Sequence, residues 1–551
     1  MKKNTILWIF RQIKYRIFGL VLLTAANASQ AFFSVLFALG SRGVIDSATS
    51  GDVDAFYTAC LWQGAIILGI LVSLTLNRHL KDRLTADLER DWKKLLLHGL
   101  LHGDYAQVRQ YHSAELLNRM NNDVTKVNEG ILTIVPSAAS MLTRLGAAVV
   151  VLGVLDARFT LVIAAVGICV VLGTAVMRRK LKDLNKLVST HDGRVSGFLQ
   201  ETMEKLLMVQ SMDVSAEVEN RASVLLDDRY GIQKKRKNVS LAANTGISIM
   251  SYGAGFLALC WCAWKLLHGQ MSFGSLTAVI QLVNQIQTPF VNLSGVLPRY
   301  AAMMASAERL MELEQIQGQP TPMVEDRDAV YSRMQAITAE NLTFSYDRDK
   351  VLDCADIRIP KGSFAAITGP SGIGKSTLLK LLLGVYTPGE GQLYLDCGEG
   401  SVPLDRSSRR LFAYVPQENL LLSGTLRDNL TIVKPDATAE EIEKAIFVSC
   451  MDSYLPQLPQ GLDTLLGEGG FGLSEGQAQR LAIARAILGG APILLLDECT
   501  SALDEQTERT VLQRIRAMQN FTCLAVTHRP AAKEICDLNF HLKDGKFVAV
   551  S

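Results

Sequence analysis

The stretch from Gly369 to Thr377 constrains the fold more than any other part of this chain. It reads Gly-Pro-Ser-Gly-Ile-Gly-Lys-Ser-Thr, follows an alternating apolar run at 363–368 and precedes a helix-like run at 378–383. A G-x-x-x-x-G-K-S pattern between a strand and a helix is the context of a phosphate-binding loop. The glycines let successive backbone N–H groups turn toward an anion at the positive end of the following helix. We therefore predict an α/β phosphate-loop domain here. The loop residues expected to bind nucleotide are Gly369, Pro370, Ser371, Gly372, Ile373, Gly374, Lys375, Ser376 and Thr377.

The first half of the chain is apolar, and the second half is not. The 551 residues are 48% hydrophobic with a mean hydropathy of +0.18, and the apolar residues concentrate before about residue 304. An apolar stretch that is about 30 Å long when it is helical can cross a bilayer. We predict six spans, near 17–42, 54–76, 134–155, 158–178, 243–267 and 274–302. The lipid bilayer is thus an expected partner, whereas a formal net charge of +2 gives no reason to expect nucleic acid.

Basic clusters indicate the orientation of these spans. They occur at 2–16, 78–94, 178–182 and 234–237, and the short connections on the other side carry few. The positive-inside rule therefore predicts that both chain ends and both long connections are cytoplasmic. The long connections have helical periodicity with little glycine or proline at 80–101 and 181–224, so we expect helical hairpins that extend the spans. The interrupted apolar stretch near the N-terminus argues against a cleaved signal peptide.

Polar residues within the predicted spans mark a possible substrate cavity, since such residues usually face a cavity or a neighbouring helix. Those considered are Asn27, Gln30, Arg144, Gln281, Gln285, Thr288 and Asn292. Hydrogen bonding between helices explains the same residues equally well, and Arg144 could also extend its guanidinium toward an interface. The ten cysteines show no repeated C-x-x-C pairs, which favours small core residues over a zinc site or disulfides.

Acidic and polar motifs follow the phosphate loop in the second half. The apolar run at 493–496 ends in Asp497 and Glu498, and His528 follows a second apolar run at 523–526. In phosphate-loop ATPases the first carboxylate after such a strand helps to hold Mg²⁺ with the Ser376 hydroxyl, and the second is placed to act as a general base. Ser474 precedes an alanine-rich helical run and could cap it. A polar linker near 313–335 separates residues 1–312 from residues 336–551.

Taken together, these residues resemble the ATP-binding cassette transporters, and in particular half-transporters of the exporter type. The resemblance covers nearly the whole chain. It implies an all-α six-helix transmembrane domain and an α/β ATPase domain with a helical signature subdomain. The motifs, in family order, are Tyr346 (base stacking), 369–377 (Walker A), Gln417 (Q-loop), 473–477 (signature), 493–498 (Walker B), 501–504 (D-loop) and His528 (switch histidine). The segment 115–123 is similar to the first intracellular region of these exporters, and the segment 307–310 is similar to the end of their sixth helix.

The resemblance also implies roles for individual residues. The residues expected to take part in catalysis are Glu498, His528, Gln417 and Lys375. Those expected to hold Mg²⁺ are Ser376, Gln417 and Asp497. Further contacts with ATP are expected from Tyr346, Ser474, Gly476, Gln477 and Asp504. In this family each ATP lies between the Walker A motif of one chain and the signature of another. A second half-transporter chain is therefore an expected partner, with ATP and Mg²⁺ as cofactors. Two departures are Glu475, where glycine is usual, and 467–470, which lacks the usual arginine.

The expected function is ATP-driven export across the cytoplasmic membrane by a dimer. A homodimer is favoured because Lys375, Glu498 and His528 are all present, although such a chain can also pair with a degenerate one. An ATP-gated channel on the same scaffold, a partner-remodelling ATPase and an importer are alternatives. We recognise no peptidase domain before the first span, so the sequence does not suggest that this chain cleaves leader peptides. Peptides, drug-like amphiphiles and lipids remain open as substrates.

Overall fold

The chain folds into two compact units in the computed structural model. The structure describes residues 2–316, 326–346, 349–398, 400–418, 421–467, 472–518 and 521–550. Within these ranges, it does not describe the side chains at 2–3, 168–179, 247, 289–295 and 297. Unit 1 comprises residues 1–101 and 112–315, and unit 2 comprises residues 102–111 and 316–551. The predicted linker at 313–335 falls only partly within the described residues.

Unit 1 is built from helices, most of them long. Their bounds are α1 (Lys2–Ile13), α2 (Ile17–Ser50), α3 (Val53–His102), α5 (Ser113–Asn118), α6 (Val124–Leu155), α7 (Ala157–Glu204), α8 (Leu206–Ser211), α9 (Ser215–Leu267) and α10 (Phe273–Gln315), while α4 (Tyr105–Val108) belongs to unit 2. A helix satisfies every backbone hydrogen bond within one segment, which a bilayer requires of a spanning chain. The predicted helical transmembrane fold is confirmed, and several of its helices extend well beyond membrane thickness.

Among the residues that the structure describes, four stretches are long and apolar enough to cross a membrane. They are Asn4–Ser50, Val53–His102, Ser113–Leu155 and Ser215–Leu267, and Ala157–Gly167 is a shorter apolar helix. The predicted spans 158–178 and 274–302 fall within α7 and α10. Large apolar side chains cover the outside of unit 1, including Leu61 at 78% and Trp62 at 67% exposure. Such a surface suits hydrocarbon rather than water.

Polar contacts join the segment just before α6 to the C-terminal part of α10 within unit 1. One π-helical turn, Arg119–Asp123, precedes α6. Arg309 donates to both carboxylate oxygens of Asp123 at 2.7 and 2.6 Å, and Ser306 adds a hydrogen bond of 2.9 Å. Arg119 contacts the carboxylates of Glu115 and Glu312 at 2.7 and 3.1 Å. The two family-like segments at 115–123 and 307–310 therefore contact each other, a pairing that the sequence did not reveal.

Unit 2 contains two main sheets. The first is antiparallel, with the order β2-β1-β4-β5. Its strands are β1 (Ala336–Tyr346), β2 (Asp349–Pro360), β4 (Glu390–Asp396) and β5 (Ser401–Pro403). The second has the order β12-β11-β3-β10-β9-β6, and its pairs from β11 to β6 are parallel. Its strands are β3 (Phe364–Thr368), β6 (Phe412–Val415), β9 (Ile493–Asp497), β10 (Thr522–Val526), β11 (Leu538–Lys543) and β12 (Lys546–Val550).

Helices complete unit 2 and enclose its cores. They are α11 (Arg327–Arg333), α12 (Lys375–Leu382), α13 (Leu426–Thr431), α14 (Ala439–Val448), α15 (Glu475–Leu488), α16 (Glu505–Arg516) and α17 (Pro530–Ile535), and a small ladder pairs β7 (Gly424–Thr425) with β8 (Leu465–Leu466). The strands β3, β9 and β10 are buried along their whole length, as expected of parallel strands covered on both faces. Because parallel strands point the same way, β3, β6, β9 and β10 bring the residues after them to one edge of the sheet. The predicted α/β phosphate-loop fold is confirmed.

Candidate nucleotide site

The phosphate loop joins β3 to α12 and depends on glycine. Gly369, Gly372 and Gly374 have φ values of 149, 79 and 113°, a region that disfavours other residues. Gly374 is also the N-cap of α12. A Cβ atom on Gly374 would lie 2.1 Å from Val351 Cγ1, and one on Gly369 would lie 2.9 Å from the carbonyl oxygen of Leu542. The backbone therefore adopts the tight turn that the sequence predicted.

Lys375 is the first residue of α12, and its side chain contacts the phosphate loop. Its Nζ atom donates to the carbonyl oxygens of Gly369 and Pro370 at 2.8 and 2.9 Å. It also lies 2.9 Å from His528 Nε2 and 3.8 Å from Glu498 Oε1. Burial lowers the pKa of Lys375, and the carboxylates of Glu498 and Asp497 oppose that shift. These contacts place a buried cation where a phosphate-binding loop requires one.

Asp497 ends β9 in a buried position, with 3% of the residue exposed. Ser376 Oγ donates to its Oδ1 at 2.8 Å, and the Tyr414 hydroxyl donates to its Oδ2 at 3.0 Å. Burial raises the pKa of Asp497, and these two hydrogen bonds oppose the rise. A carboxylate and a hydroxyl in contact are the hard oxygen ligands that Mg²⁺ prefers. The residues present thus fit a Mg²⁺ site beside the phosphate loop.

Glu498 follows in a left-handed conformation, with φ of 49°. A non-glycine residue in this region stores about 1–3 kcal/mol of strain, which clusters at functional sites. Its backbone N–H donates to the Val526 carbonyl at 3.0 Å. Its carboxylate accepts from Gln417 Nε2 at 3.2 Å and lies 3.0 Å from His528 Nε2. Residues from the ends of three strands therefore meet at this carboxylate.

The signature residues lie in a second group, at the start of α15. Ser474 and Gln477 form a capping box, with bonds of 3.3 Å from Gln477 N to Ser474 Oγ and 2.8 Å from Ser474 N to Gln477 Oε1. A Cβ atom on Gly476 would lie 2.9 Å from the Ala502 carbonyl oxygen, so the signature packs tightly on the segment 501–504. Asp504 caps α16 by accepting from Thr507 N at 2.9 Å, and this bond lowers its pKa. Glu475 is exposed.

Tyr346 ends β1 among other aromatic residues. Its hydroxyl lies 3.3 Å from Thr377 Oγ1, and its ring meets the Tyr386 ring edge-on at 5.4 Å between centroids. Burial raises the pKa of Tyr346. Arg109 donates to the Tyr386 hydroxyl at 3.0 Å, and the Tyr105 ring lies 6.5 Å away. The segment 102–111 thus reaches the residue beside the predicted base-stacking tyrosine, which no local sequence pattern indicated.

Of the seven polar residues considered for the cavity, Gln30 and Gln285 have a hydrogen bond to a neighbouring helix. Gln285 donates to the Ser34 carbonyl, and Asn77 donates to Gln30 Oε1 at 3.5 Å. Asn27 and Thr288 bond to carbonyl oxygens one turn earlier in their own helices. Among the described residues, Arg144 and Gln281 are half-buried without a hydrogen bond or ion pair to another side chain. The Asn292 side chain and residues 468–470 lie outside the described residues.

Comparisons with known proteins agree with this architecture. Residues 17–290 match the family model described as ABC transporter transmembrane region, and residues 352–501 match the model described as ABC transporter. The ATP-dependent lipid A-core flippase of Pseudomonas fluorescens is 30% identical over 501 residues, which are 88% of this chain and 80% of that protein. The alpha-hemolysin translocation ATP-binding protein HlyB of Escherichia coli O157:H7 is 30% identical over 357 residues, 64% of this chain and 50% of that protein.

A solved structure shares the fold. The structure of a bacterial Atm1-family ABC exporter with ATP bound matches with a TM-score of 0.79 at 22% identity, covering 97% of this chain and 94% of that one. At this identity the likeness concerns the fold. The family rests on the two family matches and on the lipid A-core flippase match, which includes 88% of this chain. This chain belongs to the ATP-binding cassette transporters and is a multi-pass membrane protein of the exporter type whose ATPase domain is coupled to transport.

Proposed function

We propose that this chain is one half of a homodimeric exporter in the cytoplasmic membrane, with its N-terminus and unit 2 in the cytoplasm. The observation that carries the ATP-driven part is the cluster of Lys375, Glu498 and His528. Their side chains lie within 3.8 Å of one another at the edge of the sheet where the parallel strands β3, β9 and β10 end. The basic clusters beside the spans support the orientation.

The residues of this edge have complementary roles in ATP hydrolysis. Lys375 offsets negative charge on the β- and γ-phosphates, while Ser376 and Asp497 hold Mg²⁺. When bound, the ion neutralises charge on the phosphate oxygens. Glu498 accepts a proton from the attacking water as general base. Gln417 and His528, which contact Glu498 at 3.2 and 3.0 Å, orient that carboxylate and the γ-phosphate.

A second copy of the chain completes each ATP site. Ser474, Gly476, Gln477 and Asp504 form a group around α15 and the segment 501–504, apart from the contacts of Lys375. The exposed N-terminus of α15 offers backbone N–H groups to an anion brought by a partner. Since Lys375, Glu498 and His528 are all in place, two equal sites in a homodimer are the simplest assembly. Pairing with a different half-transporter is the competing arrangement.

The proposed substrate is an amphiphile with a lipid-like apolar part. The match to the lipid A-core flippase includes 80% of that protein, whereas the match to the hemolysin translocation protein includes 50% of that protein. Arg144 places a half-buried cation within the apolar helix α6. A cation in such a position favours an anionic group on the transported molecule.

The Glu498→Gln variant tests the assignment of the base. We expect ATP turnover to fall by at least about a hundredfold, because general-base catalysis typically contributes that much. ATP binding should persist, since Lys375, Ser376 and Asp497 are unchanged. The control is Glu440→Gln, an acidic residue in the first turn of α14, which should hydrolyse ATP at the wild-type rate. Wild-type turnover in Glu498→Gln would overturn the assignment.

Proteoliposomes test the export function. Purified protein would be assayed for ATPase stimulation by anionic lipid amphiphiles, peptides and cationic drug-like amphiphiles, followed by transport of the stimulating class. We expect the anionic lipid class to stimulate most. ATP-dependent accumulation against a gradient supports a pump, and flux that only equalises concentrations would favour the gated channel.

A further inference from the structure

Tyr414 lies on the strand next to the Walker B strand. The strands β6 and β9 are parallel, and their register pairs Tyr414 with Leu495 and Val415 with Leu496. Tyr414 is therefore one position behind the end of its strand, beside residues that lead directly to Asp497. Its ring packs partly against the core of unit 2, which fixes the direction of the side chain.

The Tyr414 hydroxyl and the Ser376 hydroxyl occupy different oxygens of one carboxylate. The Tyr414 hydroxyl donates to Asp497 Oδ2 at 3.0 Å, and Ser376 Oγ donates to Oδ1 at 2.8 Å. A carboxylate with a separate donor on each oxygen cannot rotate freely.

We propose that Tyr414 is a positioning residue for the Mg²⁺ carboxylate: its hydroxyl holds Asp497 Oδ2, so that Oδ1 stays beside Ser376 at the phosphate loop. This inference rests on the Mg²⁺ role given to Asp497 and Ser376 under the proposed function. Groups that orient a metal ligand commonly change metal affinity or activity by 10–100-fold when removed. Tyr414 is three residues before Gln417, which contacts Glu498. Strand β6 and the segment directly after it thereby contact both adjacent carboxylates, Asp497 and Glu498.

A purely structural role for Tyr414 makes a different prediction. If only the ring matters, phenylalanine fills the same space and Mg²⁺ dependence does not change. If the hydroxyl orients Asp497, removing one oxygen atom weakens the Mg²⁺-dependent part of nucleotide binding and leaves the rest unchanged. The Tyr414→Phe variant separates these cases because it keeps the ring.

The experiment uses the full chain carrying Glu498→Gln, so that ATP binds without turnover. ATP affinity is measured by equilibrium binding in Mg²⁺ and in EDTA, and Mn²⁺ bound with ATP is followed by electron paramagnetic resonance. We expect Tyr414→Phe to reduce the Mg²⁺-dependent gain in affinity and the Mn²⁺ affinity by about tenfold. Affinity in EDTA should stay within twofold of the parent protein.

Tyr331→Phe is the matched control. Its hydroxyl lies 2.9 Å from Thr522 Oγ1 in a buried position of the same unit, so it reports the loss of a phenol hydrogen bond away from the carboxylates. It should leave Mn²⁺ affinity unchanged. Equal Mn²⁺ affinity in Tyr414→Phe and the parent would overturn the inference. If the parent protein itself binds ATP equally with and without Mg²⁺, the proposed metal role fails first, and the inference fails with it.

If Tyr414→Phe lowers thermal stability, the same measurement is made with Ser376→Ala and with the double variant. Two hydroxyls that hold one carboxylate should show non-additive effects on Mn²⁺ affinity, because the second removal acts on a carboxylate already released. Additive effects would mean that Tyr414 does not act through Asp497.

Discussion

Gly374 stands at the residue where the phosphate loop becomes helix α12. Its φ of 113° and the 2.1 Å distance from an added Cβ to Val351 Cγ1 impose two separate requirements for glycine. The first is conformational, since other residues rarely adopt this φ. The second is steric, since Val351 would have to move. Gly362 has a positive φ of 73° with open space around it, so only the conformational requirement applies at that position.

The Gly374→Ala change should therefore weaken ATP binding by more than about tenfold, because strain of roughly 2 kcal/mol falls on the loop that holds the phosphates. Gly362→Ala lies in a turn before β3 and is the control. It should lose stability through its φ while its ATP affinity stays near that of the wild type. Equilibrium ATP binding and thermal melting of the two variants separate the effects. Equal ATP affinity in both would contradict the steric argument.

The sequence predicted single residues where a local motif carries them. The glycine spacing predicts roles for Lys375 and Ser376, and the place of Glu498 after an apolar run predicts a role for that carboxylate. Tyr414 was not found, because a tyrosine in a strand is ordinary and its partner Asp497 lies 83 positions away. Tyr386 was missed for the same reason, since its contact with Arg109 spans 277 positions.

At the scale of elements, the contact between the π turn before α6 and helix α10 is the clearest polar link in unit 1. The Asp123 side chain is 1% exposed and takes two hydrogen bonds from Arg309. Removing one partner of a buried pair leaves an uncompensated charge. The Arg309 side chain is 40% exposed, so the loss of stability on its removal should be smaller than for a fully buried pair.

We expect Arg309→Ala to lower the free energy of unfolding by about 2 kcal/mol. Arg221→Ala removes the exposed pair with Glu217 at 2.9 Å and should cost less than about 0.5 kcal/mol. Thermal melting of both variants in one detergent gives the comparison. Similar melting temperatures for the two would show that the Asp123 pair adds no more than a surface pair.

Elements themselves were largely predictable. The strand before the phosphate loop and the helix after the signature follow from runs of apolar residues and from the Ser474 cap, and the helical stretches at 80–101 and 181–224 follow from periodicity. Helix α3 is continuous through 80–101, whereas 181–224 contains the end of α7 at Glu204, all of α8 and the start of α9 at Ser215. Helix α1 was not predicted, because its basic residues interrupt the apolar pattern. Its Trp8 and Gln12 side chains instead donate to Glu314 near the end of α10.

At the scale of the whole molecule, one chain contains every motif of an ATP site, yet the side chains of these motifs fall into two groups, which are joined through the backbone by a hydrogen bond of 3.2 Å from Ser501 N to the Glu498 carbonyl. Lys375, Asp497, Glu498 and His528 form one group, and Ser474 to Gln477 with the segment 501–504 form the other. A proposed dimer would bring the first group of one copy to the second group of another. This arrangement makes a prediction that a site completed within one chain does not.

Two variants that are each unable to occlude ATP should recover one site when mixed. Lys375→Ala removes the phosphate cation, and Ser474→Arg places a large side chain at the start of α15. In a mixed dimer one site carries both changes and the other carries neither. With Glu498→Gln in both chains, dimers purified through two different tags should retain one ATP each, against two in the parent and none in either single variant. Mixed dimers that retain no ATP would contradict sites shared between chains, and full retention by either single variant would contradict the role of its residue.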